Sequence, residues 1–234
     1  MSPGPAASLR PFWITLGLLA GVVALFEFTP LDLALQDRFY NFEARRWLVD
    51  ASAPVGRMVF YDGPKALIWL IGLTVLTLAA GPARWRERFR LDRRGLWLGV
   101  LVIATVPALA GLGKKYTNVF CPSEVRRYGG DVAYVKLCAP FPEADRPTRR
   151  GGCFPAGHAS GGFALLGLLA VRTSRRWRTG ALALGLGLGW WMGLYQMLKG
   201  AHYLSHTVTT MLVAWLVVLV WRRTLRIAPT AALG

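Results

Sequence analysis

Apolar residues fall in runs long enough to cross a bilayer, and charges are confined to the blocks between them. Runs of about 17–22 residues match the length needed to span a hydrocarbon core. They lie at 12–28, 60–80, 96–112, 181–198 and 203–221, with a shorter one at 158–172. The pattern predicts an all-α, polytopic membrane protein of six transmembrane helices, a single membrane-embedded domain over 1–234. The first run ends in Phe26-Glu27-Phe28-Thr29-Pro30, not in small residues, and reads as a retained span rather than a cleaved leader. Residues 1–10 form a polar start. Between the first two spans, residues 29–63 are polar and aromatic without a clean stripe, which suggests an interfacial helix lying on the bilayer.

Charge orients the bundle. With six spans both ends share a side, and that side holds Arg10, the 84–94 block, the 172–178 block and Arg222, Arg223 and Arg226. These segments carry few acids, only Glu87 and Asp92. An excess of Lys and Arg marks cytoplasmic segments, so 113–157 and 199–203 are expected outside, at the periplasmic face of a bacterial inner membrane. The formal net charge of +16 alone would suggest nucleic acid. Its placement beside the spans instead fits topology and anionic headgroups, so no nucleic-acid partner is expected.

The topology gathers chemistry at the outer ends of the spans. Lys114 and Lys115 close the third span, His158 opens the fourth, and Lys199, His202 and His206 lie at the turn between the fifth and sixth. The three histidines are all that the chain has. Ionisable groups at bilayer level are costly and point to function. Taken singly, each histidine reads more readily as a wet interfacial residue, and His206 also as a hydrogen-bonded polar residue of the bundle. The glycines Gly185, Gly187 and Gly189 read as close helix packing, and Trp190-Trp191 as span packing or an interfacial belt. Three histidines and three cysteines raise the question of zinc, but no Cys-x-x-Cys pair is present, and no metal and no cofactor are expected.

These clusters resemble the type 2 phosphatidic acid phosphatase superfamily, in its integral-membrane bacterial branch. That family's pattern is a Lys, six residues and Arg-Pro; then Pro-Ser-Gly-His; then Ser-Arg, five residues, His, three residues and Asp. Here Lys114 is followed by Cys121-Pro122. The second motif reads Pro155-Ala156-Gly157-His158. In the third, His202 takes the nucleophile position, Gln196 the Arg position and His206 the Asp position. The chain is similar to a divergent subgroup with altered motifs.

The resemblance implies phosphoryl transfer through a phosphohistidine. His202 would attack phosphorus, and His158 would protonate the leaving oxygen and then activate water. An imidazole suits both tasks near neutrality. His206, one turn on, would orient His202; Glu124 and Asp131 are further acids considered for that part. Lys114, with Lys115 as alternative, and the helix N-terminus at Gly157 would hold the phosphate. Lys199 would replace the arginine lost at Gln196, and Arg126 or Arg127 the one lost at Cys121. An oxidising outer compartment permits one disulfide. Cys121–Cys153 would tie the first motif to the second; Cys138–Cys153, closing a smaller loop, stays open. The expected partner is a membrane lipid phosphate at the outer leaflet: phosphatidic acid, phosphatidylglycerol phosphate, undecaprenyl pyrophosphate or lipid A. A lipid-to-lipid phosphotransferase and an inactive lipid-binding or transport relative are the alternatives.

Overall fold

The computed structural model describes residues 8–227; the rest of the expected polar start lies outside them. Among the described residues, five helices are long and apolar enough to cross a membrane. They are α1 (Arg10–Phe28); the continuous helix Pro54–Ala80, made of α3 (Pro54–Arg57), a π-turn and α4 (Gly63–Ala80); α6 (Arg93–Tyr116); α8 (Arg175–Leu198); and α9 (Leu204–Thr224). α1 and α4 leave most of their apolar side chains uncovered, as helices bordered by lipid do.

The sixth apolar segment is shorter. α7 (Gly157–Ala164) runs on as a 3₁₀ stretch, Leu165–Ala170. Because a 3₁₀ helix rises about 2.0 Å per residue against 1.5 Å for an α-helix, the piece reaches about 24 Å. It is the centre of the bundle rather than part of its wall. Phe163, Ala164 and Leu166 pack with Leu98, Val102 and Val106 of α6 and with Ala214 and Val218 of α9. Leu165 and Leu168 pack on Val75 and Ala79 of α4. On α8, Gly185 and Gly189 let α7 come close: a Cβ on Gly189 would stand 2.2 Å from the Phe163 ring. Gly187, expected to help, meets nothing within 4 Å.

The arginine-rich end carries local stops and starts. α5 (Ala83–Phe89) closes on Arg90 in a left-handed conformation (φ 51°). Asp92 then caps α6 by accepting from the Gly95 amide, and Ser174 caps α8 by accepting from that of Trp177. All these arginines sit at one end of the helices and the histidines at the other.

The stretch after α1 is not one interfacial helix. It forms a six-residue helix, α2 (Leu31–Gln36), and a hairpin pairing β1 (Tyr40–Asn41) with β2 (Arg46–Trp47). The reason lies in its polar residues, which find partners in the bundle instead of water. Gln36 Nε2 donates to the Met197 carbonyl at 2.8 Å, and buried Asp32 accepts from the Ser205 amide at 2.9 Å. Tyr40, Phe120, Val125, Tyr128 and Val132 form a separate small core, with Trp47 packed against it. The segment is a clamp over the α8–α9 turn.

Candidate active site

The α8–α9 turn is built tightly. Gly200 has φ +76°, a conformation that L side chains rarely adopt, and a Cβ there would fall 2.2 Å from the Trp47 ring. Its carbonyl accepts from the Ser123 amide at 2.8 Å. The amides of Ala201 and His202 both donate to the Gln196 carbonyl. Asp32 holds the first turn of α9 by taking the Ser205 amide, a donor that every helix start leaves unsatisfied. Burial pushes the Asp32 carboxyl up, with the Ser205 hydroxyl and amide and then Lys136 opposing.

This turn delivers two histidines to one place. His202 and His206 are each 2% exposed. Their Nδ1 atoms are 3.3 Å apart. Two neutral imidazoles in that arrangement share one proton, so a His202 that donates from Nδ1 presents Nε2 as a bare nucleophilic nitrogen. His206 then accepts on Nδ1. Burial, followed by the nearby His206, Lys114 and His158, keeps the His202 pKa well below the ordinary 6.5.

A disulfide backs this pair. Cys121 and Cys153 are joined, with Cα atoms 5.2 Å apart, and Cys138 is free and exposed. Cys153 Sγ lies 3.4 Å from His202 Nδ1 and 2.9 Å from the Ala201 carbonyl oxygen. A disulfide sulfur has no proton to give, so these are packing contacts that wedge the turn. Cys153, His202 and His206 are the group among the described residues whose ligand atoms could share a metal, all within 4.8 Å of one another. With the sulfur tied to Cys121, it offers two imidazole nitrogens and no thiolate.

The other half arrives from α6 and α7. Gly113 lets Pro155 lie against α6, since a Cβ would come 2.5 Å from Pro155 Cδ. Thr117 Oγ1 donates to the Phe154 carbonyl at 2.6 Å. That contact sets Lys114 over Gly157, its Nζ 3.4 Å from where a Cβ would stand. His158, next in the chain, has its ring 5.9 Å from the ring of His202. Lys114, Gly157 and His158 line the polar end of a cleft of about 650 Å³ between α4 and α6. Its walls are Ile68, Leu73, Leu76, Val100, Ile103 and Pro107.

Not every residue expected at the site is there. Lys115 is exposed and does not line the cleft, because one step along a helix turns the side chain by about 100°. Arg126 pairs with Asp145, and Arg127 grips Asp37 through Nε and Nη2 at 2.7 and 2.6 Å, with Tyr128 joining at 2.9 Å. Both arginines are therefore loop fasteners. Glu124 and Asp131 both pair with Arg149, so neither orients His202. Lys199 does stand near the cleft, with Nζ 4.9 Å from the Tyr195 ring centroid and 5.8 Å from that of Tyr61. Burial, then Arg57, lowers its pKa. Two lining residues escaped the sequence reading, Tyr61 and Lys65. The available signal was their four-residue spacing, which puts both on one helix face, and a cation set just inside an apolar run.

A predominantly helical bundle of several membrane-length apolar helices, with histidines and a lysine gathered at one end, defines a class of multi-pass membrane proteins with a polar centre at the helix ends. The family model described as PAP2 superfamily matches residues 95–228, more than half of the chain, and the chain belongs to that superfamily. That superfamily generally comprises phosphatases, and membership suggests phosphatase or phosphotransferase activity on phosphorylated, lipid-like substrates. No curated protein and no solved structure matches the chain.

Proposed function

We propose that the protein is a metal-independent lipid phosphatase acting at the outer leaflet of a bacterial inner membrane through a phosphohistidine. One observation carries this reading: Lys114 and His158, far apart in sequence, line the polar end of an apolar cleft, with the His202 ring 5.9 Å from that of His158. The terminal phosphate enters between the two imidazoles. His202 Nε2 attacks phosphorus, an N–P bond forms, and the bond to the leaving oxygen breaks with its electron pair passing to that oxygen. His158 supplies the proton to the departing oxygen. It then takes a proton from water, which attacks the phosphohistidine and releases phosphate.

The remaining residues act on charge and orientation. Lys114 and the amides at the start of α7 face the equatorial oxygens, where charge collects in phosphoryl transfer. Ala156 lacks the hydroxyl usual at its position, but backbone amides do not depend on that side chain. His206 orients the nucleophile, as a carboxylate does in other members. The apolar walls of the cleft receive a hydrocarbon tail directly from the bilayer. Purified protein in detergent, given a panel of lipid phosphates, is expected to release inorganic phosphate, with His202→Ala and His158→Ala inactive. Label from a ³²P-substrate should be trapped on His202. Release from none of the lipids, or equal release by the variants, would sink the reading.

A further inference from the structure

We propose that Lys65 and Lys199, grouped about Tyr61 beyond His158, form a second anion subsite that holds the inner phosphate of a lipid diphosphate while the outer phosphate is transferred. This deepens the reading above and rests on His202 as nucleophile.

The first argument is charge. The Tyr61 ring has Lys65 Nζ and Lys199 Nζ each 5.8 Å from its centroid, Arg57 at 5.9 Å, and the His158 ring 4.9 Å away. Arg57 is committed to Asp62. Among the described residues, Lys65, Lys114 and Lys199 make no ion pair with a carboxylate. Lys65 and Lys114 line one cleft and Lys199 stands by Tyr61 beside it, and ammonium groups gathered this way repel one another until an anion arrives. One terminal phosphate beside Lys114 leaves the other two uncompensated.

The second argument is position. His158 serves the leaving oxygen, so the leaving group lies on its side of the phosphorus. Tyr61, Lys65 and the apolar walls are on that side, in one cleft with His158. From Lys65 the α4 wall continues through Ile68, Gly72 and Leu76. At 1.5 Å per residue those eleven steps cover about 16 Å, close to one leaflet of a core about 30 Å thick. The atoms joining the transferred phosphorus to the tail thus pass Lys65, and a cation there calls for an anionic link.

The third is local backbone. Pro64 has no amide to give and its ring would press on the carbonyl four residues back. The chain answers with a π-turn, Met58–Asp62, in which the Gly63 amide reaches the Met58 carbonyl. Such turns favour functional positions, and this one carries Tyr61 to the mouth of the cleft. Of the two lysines, Lys65 lies on α4, outside the residues matched by the family model, and Lys199 lies within them.

The chemistry balances. His202 attacks the outer phosphorus, the bond from that phosphorus to the bridging oxygen breaks, and the electron pair leaves on that oxygen. The leaving group is a lipid monophosphate, whose added negative charge Lys65 and Lys199 meet directly. Water then releases the outer phosphate from His202.

The test uses full-length protein in detergent with three substrates: farnesyl diphosphate, farnesyl monophosphate and phosphatidylglycerol phosphate, whose two phosphates are set apart by glycerol. The wild type is expected to favour the diphosphate in kcat/KM. Lys65→Ala should cut the diphosphate-to-monophosphate ratio about tenfold, the scale of a lost charge-assisted contact, and Lys65→Arg should restore most of it. Equal losses on both farnesyl substrates, or a wild-type preference for the monophosphate or the glycerol-spaced lipid, would overturn the subsite. Binding of a non-hydrolysable farnesyl methylene-diphosphonate against the matching monophosphonate, to wild type and Lys65→Ala, reads the subsite without turnover. Absence of turnover on every substrate with a Lys65-dependent diphosphonate preference would refute the phosphatase reading alone; no Lys65-dependent preference would refute the subsite.

Discussion

The two sides of the histidine centre are built in opposite ways. On the α8–α9 side, His202 and His206 are sealed by a disulfide, an aromatic clamp and a buried carboxylate. On the α4–α6 side, Lys114, His158 and Lys65 stand at the mouth of an open cleft. The difference separates two tasks. A nucleophile must be held in one orientation, and rigidity there is prepaid by folding. A substrate tail must enter from lipid, so the opposite wall is left unfilled. The sealed side costs desolvation of two imidazoles, and it is sealed only where the chain is fastened on several sides.

That contrast can be broken from either side. The largest effect is expected for His202→Ala, which should lower kcat by at least ~10³-fold, with His158→Ala at ~10²–10⁴-fold, measured as phosphate release. His206→Ala should come next, at about 10²-fold in kcat with KM little changed, because only orientation is lost. His206→Asp, which restores a carboxylate, should recover activity. A His206→Ala enzyme as active as wild type would show that the Nδ1–Nδ1 contact is packing alone.

The sealed side should also fail as a structure. Gly200→Val forces a β-branched residue into a left-handed conformation against Trp47 and should cost about 2–3 kcal/mol, seen as a lower Tm in detergent. Asp32→Asn should lower Tm less, since an amide still accepts one of the two Ser205 bonds.

A smaller effect follows from protonation. His202 is held neutral below its ordinary 6.5. Between the depressed folded pKa and 6.5, the unfolded chain binds the proton and the folded one does not. Stability is therefore full above pH 6.5 and declines as pH falls toward the folded value. Tm should drop between pH 6.5 and 5, and His202→Gln should flatten part of that slope. A neutral nucleophile also predicts no loss of kcat/KM from His202 itself near pH 6.5. The smallest effect is expected for Arg126→Ala, an exposed loop fastener, with activity within about twofold of wild type. A large loss there would return Arg126 to the phosphate site.

Much of the bundle could be read from the chain because bilayer crossing imposes length and apolarity, and these are linear properties. The histidine positions could be read for a related reason: topology alone puts span ends at one level. What could not be read was everything that depends on pairing across the fold. Arg126 and Arg127 carry the right charge for phosphate, yet Asp145 and Asp37 claim them, and no spacing announces such pairs. Asp32 lies 173 residues from Ser205 and gave no local signal of capping α9. The 29–63 stretch lacks a stripe because its buried residues face separate partners, not one surface. Lys65 stands just where polar sequence turns apolar, and a lysine at such a boundary carries the same pattern as a snorkelling headgroup contact.

The π-turn at Met58–Asp62 acts as a phase shifter. It inserts one extra residue into a helical turn, so everything before it is rotated by about 100° relative to an uninterrupted helix. Phe60 thereby reaches a stack on Trp191 and Tyr195, with ring centroids at 4.7 and 5.1 Å. Losing a single residue between Met58 and Asp62 would remove the shift without shortening the membrane crossing appreciably. The helix would still span, but Phe60 would leave the rings of α8 and Tyr61 would turn from His158. In this bundle, the count of residues before Pro64 is as much a part of the site as their identity.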